Sequence, residues 1–363
     1  MKYYIISGEA SGDMHAANLV AAIKEKDENS EIRAWGGDRL QQQGATIVKH
    51  IKELAFMGFL EVIVNLPTIL KNISFCKKDI LSYNPDALIL VDYPAFNFRI
   101  AVFAKQNGIK VFYYISPQIW AWKKSRIKQI KKMVDKMFVI LPFEKDYYKA
   151  HHFEVDFVGH PLLDEIEKDN FSFSLQINKP IIALLPGSRK QEISKILPQM
   201  LGVVSDFPDY QFVVATTNSI EEEFYKNIIA NNNVLLAKNE TYGLLKNAKA
   251  ALVTSGTATL ETALFNVPQV VCYKTNSVSY QIAKRLVKTK FISLVNIVMD
   301  KMVVEELIQN ELNPYNLSSS LSKILENTNR EKIQMDYNAL KIKLGEKGAS
   351  NKVAKLIFQD IVK

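Results

Sequence analysis

The chain first shows clear chemical potential where an apolar run stops at an acid, in Leu88-Ile89-Leu90-Val91-Asp92-Tyr93-Pro94-Ala95-Phe96-Asn97. Ala87 to Val91 reads as a strand buried on both faces, and Pro94 ends its ladder. In open α/β sheets, ligands bind beyond the carboxyl ends of the strands, which would turn Asp92 toward a crevice. The same position also suits a cap for a helix beginning near Phe96, and position alone leaves both readings open. A second loop, Ser7-Gly8-Glu9-Ala10-Ser11-Gly12-Asp13, joins a strand to a helix without the G-x-G-x-x-G fingerprint of a dinucleotide site. Its carboxylates, Glu9 and Asp13, would repel a pyrophosphate; they suit sugar hydroxyls or the amides of a helix N-terminus.

Two loops in the second half suit an anion. Leu185-Pro186-Gly187-Ser188-Arg189 follows a strand and opens a helix, so backbone amides and a guanidinium are aimed at one place. Arg189 can hold a diphosphate bidentately. Farther on, Thr254-Ser255-Gly256-Thr257-Ala258-Thr259-Leu260-Glu261 follows the expected strand Ala250 to Val253. Small and hydroxylated residues at a helix start leave the amides open to an anion. Glu261, one turn inside that helix, is either an acceptor for ribose hydroxyls or an exposed charge. There is no D-x-D pair, H-E-x-x-H, G-x-S-x-G or Walker A pattern, and His15, His50, His151, His152 and His160 have no ligand spacing. A metal enzyme or a serine hydrolase is therefore poorly supported.

The elements that must position these residues alternate. Strands are expected at 2–7, 31–35, 86–91, 110–114, 135–140 and 155–158, then at 181–185, 211–215, 234–236, 250–253 and 269–273. Helices such as 16–26 and 143–150 fill the gaps, a polar linker is expected at about 161–178, and the end from about Leu317 is helical only. This pattern predicts an α/β protein of two Rossmann-like domains, their parallel sheets facing across a cleft.

A chain of 363 residues, 48% hydrophobic and 23% charged, has room for two cores. Cys76 and Cys272 form no metal or redox spacing and read as core residues in a reducing compartment. No signal peptide is visible and no apolar run of 18 residues occurs, so the expectation is a cytoplasmic protein with no membrane span. The net charge of +8 suggests an anionic partner. Its densest block, Lys123 to Lys132, has Ile127, Ile130 and Val134 at helical spacing and reads as an amphipathic helix with a cationic face. Aromatics are not interleaved with the charges, which argues against nucleic acid. The segment 54–66, with Phe56, Met57, Phe59 and Leu60, is apolar on nearly every side and too short to span a bilayer; it is a core helix or an interfacial one.

These motifs, together with Ser116-Pro117-Gln118-Ile119-Trp120-Ala121-Trp122, Leu141-Pro142-Phe143-Glu144, Phe157-Val158-Gly159-His160-Pro161 and Ser293-Leu294-Val295-Asn296, occur in an order that resembles the lipid-A-disaccharide synthase family, from Ile5 to about Leu307. Two positions depart from the family pattern: Ala95, where a second acid often stands, and Val295, where proline often stands. The first departure leaves Asp92 as the only carboxylate in its loop.

The resemblance implies an inverting glycosyltransferase of GT-B architecture. Its divisions would be residues 1–165, a Rossmann-like domain facing acceptor and membrane; 175–340, a Rossmann-like UDP-sugar-binding domain; and 341–363, a helix returning to the first. The implied reaction joins UDP-2,3-diacylglucosamine to 2,3-diacylglucosamine 1-phosphate, releasing UDP and leaving a β-1,6-linked disaccharide 1-phosphate. It needs no cofactor and no metal. Asp92 would be the general base; an ordinary Asp, with pKa about 3.9, is a weak one, so proton transfer would be late and concerted. Arg189, Gly187, Ser188, Ser255, Gly256 and Thr257 would hold the diphosphate, Glu261 the ribose, and Asn296 would lie near the nucleotide. Glu9, Ser11 and Asn97 would line the acceptor side. Because both substrates carry acyl chains, the resemblance favours the interfacial reading of 54–66 and peripheral association with the inner membrane of a Gram-negative bacterium. It also allows a homodimer that exchanges the C-terminus. The alternatives are another GT-B-like enzyme, such as a UDP-N-acetylglucosamine 2-epimerase, or a non-catalytic nucleotide-sugar or lipid-binding protein.

Overall fold

Apolar runs without alternation build strands that are covered on both faces, and Ala87–Val91 and Ile181–Leu185 are buried at every position. The computed structural model describes residues 1–54, 66–122, 126–168, 170–276, 280–281, 284–285 and 289–362. The chain divides into two units, Met1–Pro161 with Leu344–Lys363, and Leu162–Lys343.

In the first unit, β1 (Lys2–Ser7), β2 (Glu31–Gly36), β3 (Thr46–His50), β4 (Ala87–Val91), β5 (Lys110–Tyr114), β6 (Lys136–Val139) and β7 (Asp156–Phe157) form a parallel sheet in the order β3-β2-β1-β4-β5-β6-β7. In the second, β8 (Ile181–Leu185), β9 (Gln211–Thr216), β10 (Val234–Lys238), β11 (Ala248–Thr254), β12 (Gln269–Tyr273) and β13 (Glu305–Ile308) are parallel in the order β10-β9-β8-β11-β12-β13. Each order reverses once, between β1 and β4 and between β8 and β11. Those reversals are the topological switch points where open α/β sheets bind ligands. Ser7 pairs with Val91, and Leu185 pairs with Val253, so the loops at each switch point start side by side.

Thr46–His50 and Glu305–Ile308 were not expected from the sequence. Both are edge strands, only partly buried at most positions, and so lack the apolar run that marks a central strand. The expected polar linker also differs from what forms. Leu162–Ile166 is helical, and Phe173, Leu175 and Ile177 pack against the core of the second unit. Their two-residue spacing, with Phe171 before them, puts one face of an extended segment inward and the intervening residues outward.

Side chains tie the first unit together beneath its site. Arg33 grips Asp79 with two hydrogen bonds (2.9 and 2.6 Å), the Tyr4 hydroxyl donates to Asp79 at 2.7 Å, and Trp35 donates to Tyr4 at 2.9 Å. The C-terminal helix Ala349–Ile361 packs on the helix Ala10–Lys24, and the His160 N–H donates to the Leu344 carbonyl at 2.9 Å where the chain re-enters. The basic helix forms over Ile127–Met133, burying Ile127, Ile130 and Met133 while Lys128, Lys131 and Lys132 are exposed. Among the described residues, no helix is long and apolar enough to cross a membrane. Phe56, Met57, Phe59 and Leu60 lie outside the described residues, as do 123–125.

Candidate functional site

Asp92 follows β4 at the first switch point, half-buried, and its N–H donates to the Tyr114 carbonyl of β5 at 3.1 Å. The helix that follows, Pro94–Gln106, has Tyr93 rather than Asp92 at its N-cap, which removes the capping role as an account of this acid. Asp92 (φ 47°) and Tyr93 (φ 50°) are both in the left-handed region, and Ile115, just past β5, joins them at φ 66°. Each such residue holds strain of about 1–3 kcal/mol and persists only where its surroundings enforce it.

The enforcement is visible. The Asn97 amide and the Tyr113 hydroxyl both donate to the Asp92 carbonyl at 2.7 Å. The Tyr93 ring stacks on Phe96 (centroids 5.5 Å apart) and lies over Gly8, where an added Cβ would sit 2.3 Å from the ring. Gly8 is therefore required by the close approach of an aromatic ring.

This packing changes the chemistry of Asp92. Burial, then repulsion from the Glu9 carboxylate, pushes its pKa up to about 6, against a hydrogen bond from the Tyr93 N–H that lowers it. A carboxylate raised in this way can take up a proton near neutral pH more readily than an ordinary Asp. Glu9 is partly buried and Ser11 exposed at the start of the helix Ala10–Lys24. Asp13 is different: it is 3% exposed and accepts from the N–H groups of Gly37 (2.5 Å), Arg39 (3.1 Å) and Leu40 (3.4 Å). It caps the helix Asp38–Gln42 of the neighbouring βα unit.

At the second switch point, Arg189 is the N-cap of the helix Lys190–Leu201, with Ser188 exposed and Gly187 half-buried before it. The Arg189 guanidinium is on the surface and bonds Glu192 at 2.8 Å. Beside it, Ser255 and Gly256 are half-buried and Thr257 is exposed at the start of the helix Thr257–Leu264. Gly256 has φ 142°, and nothing lies within 4 Å of where its Cβ would be. Gly256 thus leaves the start of this helix uncrowded on that side, which suits an anion site. Glu261 is half-buried; burial raises its pKa, while the Tyr242 hydroxyl, donating at 2.9 Å, lowers it.

Two of the expected contact residues are inside the protein instead. Asn97 is fully buried and holds the Asp92 backbone, so its side chain fixes the Asp92 loop rather than lining an open surface. Asn296 is also fully buried. Its Oδ1 accepts from Val303 (2.7 Å) and Val304 (3.0 Å), and its Nδ2 donates to the Val304 carbonyl and Glu306 (both 2.8 Å). An amide side chain has two donors and two lone pairs, so Asn296 has no capacity left for a nucleotide. Tyr113, Tyr242 and Glu306 escaped sequence reasoning: Tyr113 sits in an ordinary apolar strand, and the other two meet their partners only in three dimensions.

The chain matches the family model described as "Lipid-A-disaccharide synthetase" over residues 3–361. It belongs to that family. A lipid-A-disaccharide synthase of Syntrophus aciditrophicus is 41% identical over 96% of this chain and 95% of that protein. The chain is accordingly a glycosyltransferase of lipid A disaccharide synthesis. The fold by itself would not have decided this. A UDP-GlcNAc 2-epimerase from Neisseria meningitidis, bound to UDP-GlcNAc, superposes with TM-score 0.66 at 14% identity over 100% of both chains. The glycotransferase of kitacinnamycin gives TM-score 0.69 at 13% identity, covering 99% of this chain and 98% of that one. One architecture serves both chemistries, and membership of the synthase family separates them.

Proposed function

We propose that the enzyme transfers 2,3-diacylglucosamine from UDP to the 6-hydroxyl of 2,3-diacylglucosamine 1-phosphate, with Asp92 as general base. The observation that carries this reading is the contrast between the two switch points, a raised-pKa acid at one and an amide-and-guanidinium loop pair at the other. Above about pH 6, Asp92 is ionised and accepts the proton of the acceptor hydroxyl as its oxygen bonds the anomeric carbon. The bond from that carbon to the diphosphate breaks on the opposite face, which inverts the configuration. Charge growing on UDP is met by the amides at Ser255–Thr257 and by Arg189, which exchanges Glu192 for the diphosphate. Glu261 accepts from the ribose hydroxyls. Glu9 and Ser11, next to the base, meet the acceptor.

Acylated substrates require contact with a lipid surface. The helix Leu66–Tyr83 supports that contact: Leu66, Leu70, Phe75 and Leu81 are 44–53% exposed, alongside exposed Lys71 and Lys78. Apolar area with cations is how a peripheral protein binds an anionic membrane face, here the cytoplasmic face of the inner membrane.

The test is a product assay: purified protein, UDP-2,3-diacylglucosamine and 2,3-diacylglucosamine 1-phosphate in detergent with EDTA, analysed by mass spectrometry. Disaccharide 1-phosphate and UDP are expected in equal amounts. Turnover of plain UDP-N-acetylglucosamine with no product from the acylated pair would overturn the proposed substrates.

A further inference from the structure

We infer that Glu306 is a positioning residue for the nucleotide loop Ser255–Thr257, an inference that rests on the donor-binding reading above. Glu306 lies on β13, separated from β11 by β12. Its carboxylate accepts from the N–H groups of Ile292 and Ser293, each at 2.9 Å, and from the Asn296 amide at 2.8 Å. Two consecutive backbone amides and a side chain on one carboxylate fix the path of the chain into the helix Leu294–Met299, which Ser293 caps. Ile292, held in this way, presents its carbonyl to the Ser255 hydroxyl at 2.8 Å.

The last contact matters because of what lies next to it. Gly256 has no side chain and nothing packed against the position of its Cβ. The shape of the loop is set from its two sides: Ser255 is tied to Ile292, and the Thr259 hydroxyl donates to the Gly256 carbonyl at 2.8 Å. Amides held in place before the ligand arrives stabilise its charge without reorganisation. Glu306 thus acts on a diphosphate through Ile292 and Ser255. It also explains why Asn296 is so fully engaged, since Asn296 joins the same carboxylate to the backbone of Val303 and Val304.

The test is UDP binding by calorimetry to four full-length proteins: the parent, Glu306→Gln, Ser255→Ala and the double variant. In Glu306→Gln one oxygen remains to accept, and an amide N–H2 is set against donors. UDP affinity is expected to fall about tenfold at a temperature where the variant is fully folded. Ser255→Ala is expected to lose a few-fold, and the double variant to lie within about twofold of Glu306→Gln, because both changes break one chain of contacts. Unchanged UDP affinity in folded Glu306→Gln, with only a lower melting temperature, overturns the inference and leaves a purely structural residue. Losses that multiply in the double variant overturn it as well. Should Glu306→Gln not fold, Glu306→Asp, which keeps the charge but withdraws it by one methylene, takes its place with the same expected outcomes. A parent protein that does not bind UDP overturns the donor reading and this inference together, whereas the other negative results strike this inference alone.

Discussion

At the β1/β4 switch point the loops carry three carboxylates, an aromatic ring over Gly8 and two consecutive left-handed residues, whereas at β8/β11 they carry hydroxyls, a guanidinium and a helix start left uncrowded at Gly256. Both sites arise from the same event, a reversal of strand order in a parallel sheet. The sheet supplies the place and the loop residues supply the chemistry. A crowded, apolar surrounding makes a carboxylate harder to ionise and hence a better base. A helix start bordered by small residues does the reverse and draws in negative charge.

The comparison breaks most readily at Asp92. Asp92→Asn keeps the shape of the side chain but replaces one oxygen by a donor and cannot accept the proton, so kcat is expected to fall by about 10²–10⁴ while UDP affinity stays within a few-fold. Equal losses in both would move Asp92 into the nucleotide site. Stability gives an independent readout. The folded pKa is about 6 and the unfolded one about 3.9, so folding disfavours the ionised form. That penalty is absent below about pH 4 and complete above about pH 6. The variant should therefore melt above the parent at pH 8, by the equivalent of about 1 kcal/mol once solvent screening of a half-buried group is allowed for, and level with it at pH 4. Thermal scans at the two pH values decide it.

Arg189 tests the other side. Arg189→Ala is expected to weaken UDP about tenfold by calorimetry, near the lower end for hydrogen bonds to charged groups, because the guanidinium must first leave Glu192. Once donor is saturating, kcat should be less affected than in Asp92→Asn. Unchanged UDP affinity would remove Arg189 from the site and leave the helix-start amides as the anion contact.

The positions of these two residues were legible in the sequence because each follows a fully apolar strand, where a charged side chain has no core role, and their chemistry is what the variants test. Central strands were legible for the same reason: Ala87–Val91 and Ile181–Leu185 leave no other element open. Edge strands β3 and β13 were not, because a strand with one open edge tolerates Lys, His and Glu. Asn97 and Asn296 stand in recognisable motifs, yet the motif could not say that their side chains point inward. An amide that saturates backbone groups and one that reads a ligand look alike until the partners are placed. The alternating Phe171-Ser172-Phe173-Ser174-Leu175-Gln176-Ile177 was legible in principle, and its period of two outweighs the polar composition that suggested a linker.

Glu9 sharpens the comparison in a graded way. It stands second to burial among the causes that raise Asp92. Glu9→Gln removes the repulsion and leaves the burial, so the acid limb of the kcat/KM profile should move to lower pH while activity at pH 8 stays within a few-fold. A limb that stays in place would show that the two carboxylates do not interact in the enzyme. A limb that moves upward would contradict the sign of the repulsion.

Asp13 should give the smallest effect on catalysis, although it stands four residues from Glu9 in the same loop. Its two oxygens receive three backbone N–H groups at the head of the helix Asp38–Gln42. In Asp13→Asn one oxygen is replaced by a donor facing those N–H groups, which leaves at least one of them without an acceptor in a buried place. A loss of about 1–3 kcal/mol of stability is expected on chemical denaturation, with kcat per folded molecule within about twofold of the parent. Intact stability with lost turnover would assign Asp13 to the acceptor site. The two loops of the first switch point would then hold three functional acids, Glu9, Asp13 and Asp92, and none that serves only as a cap.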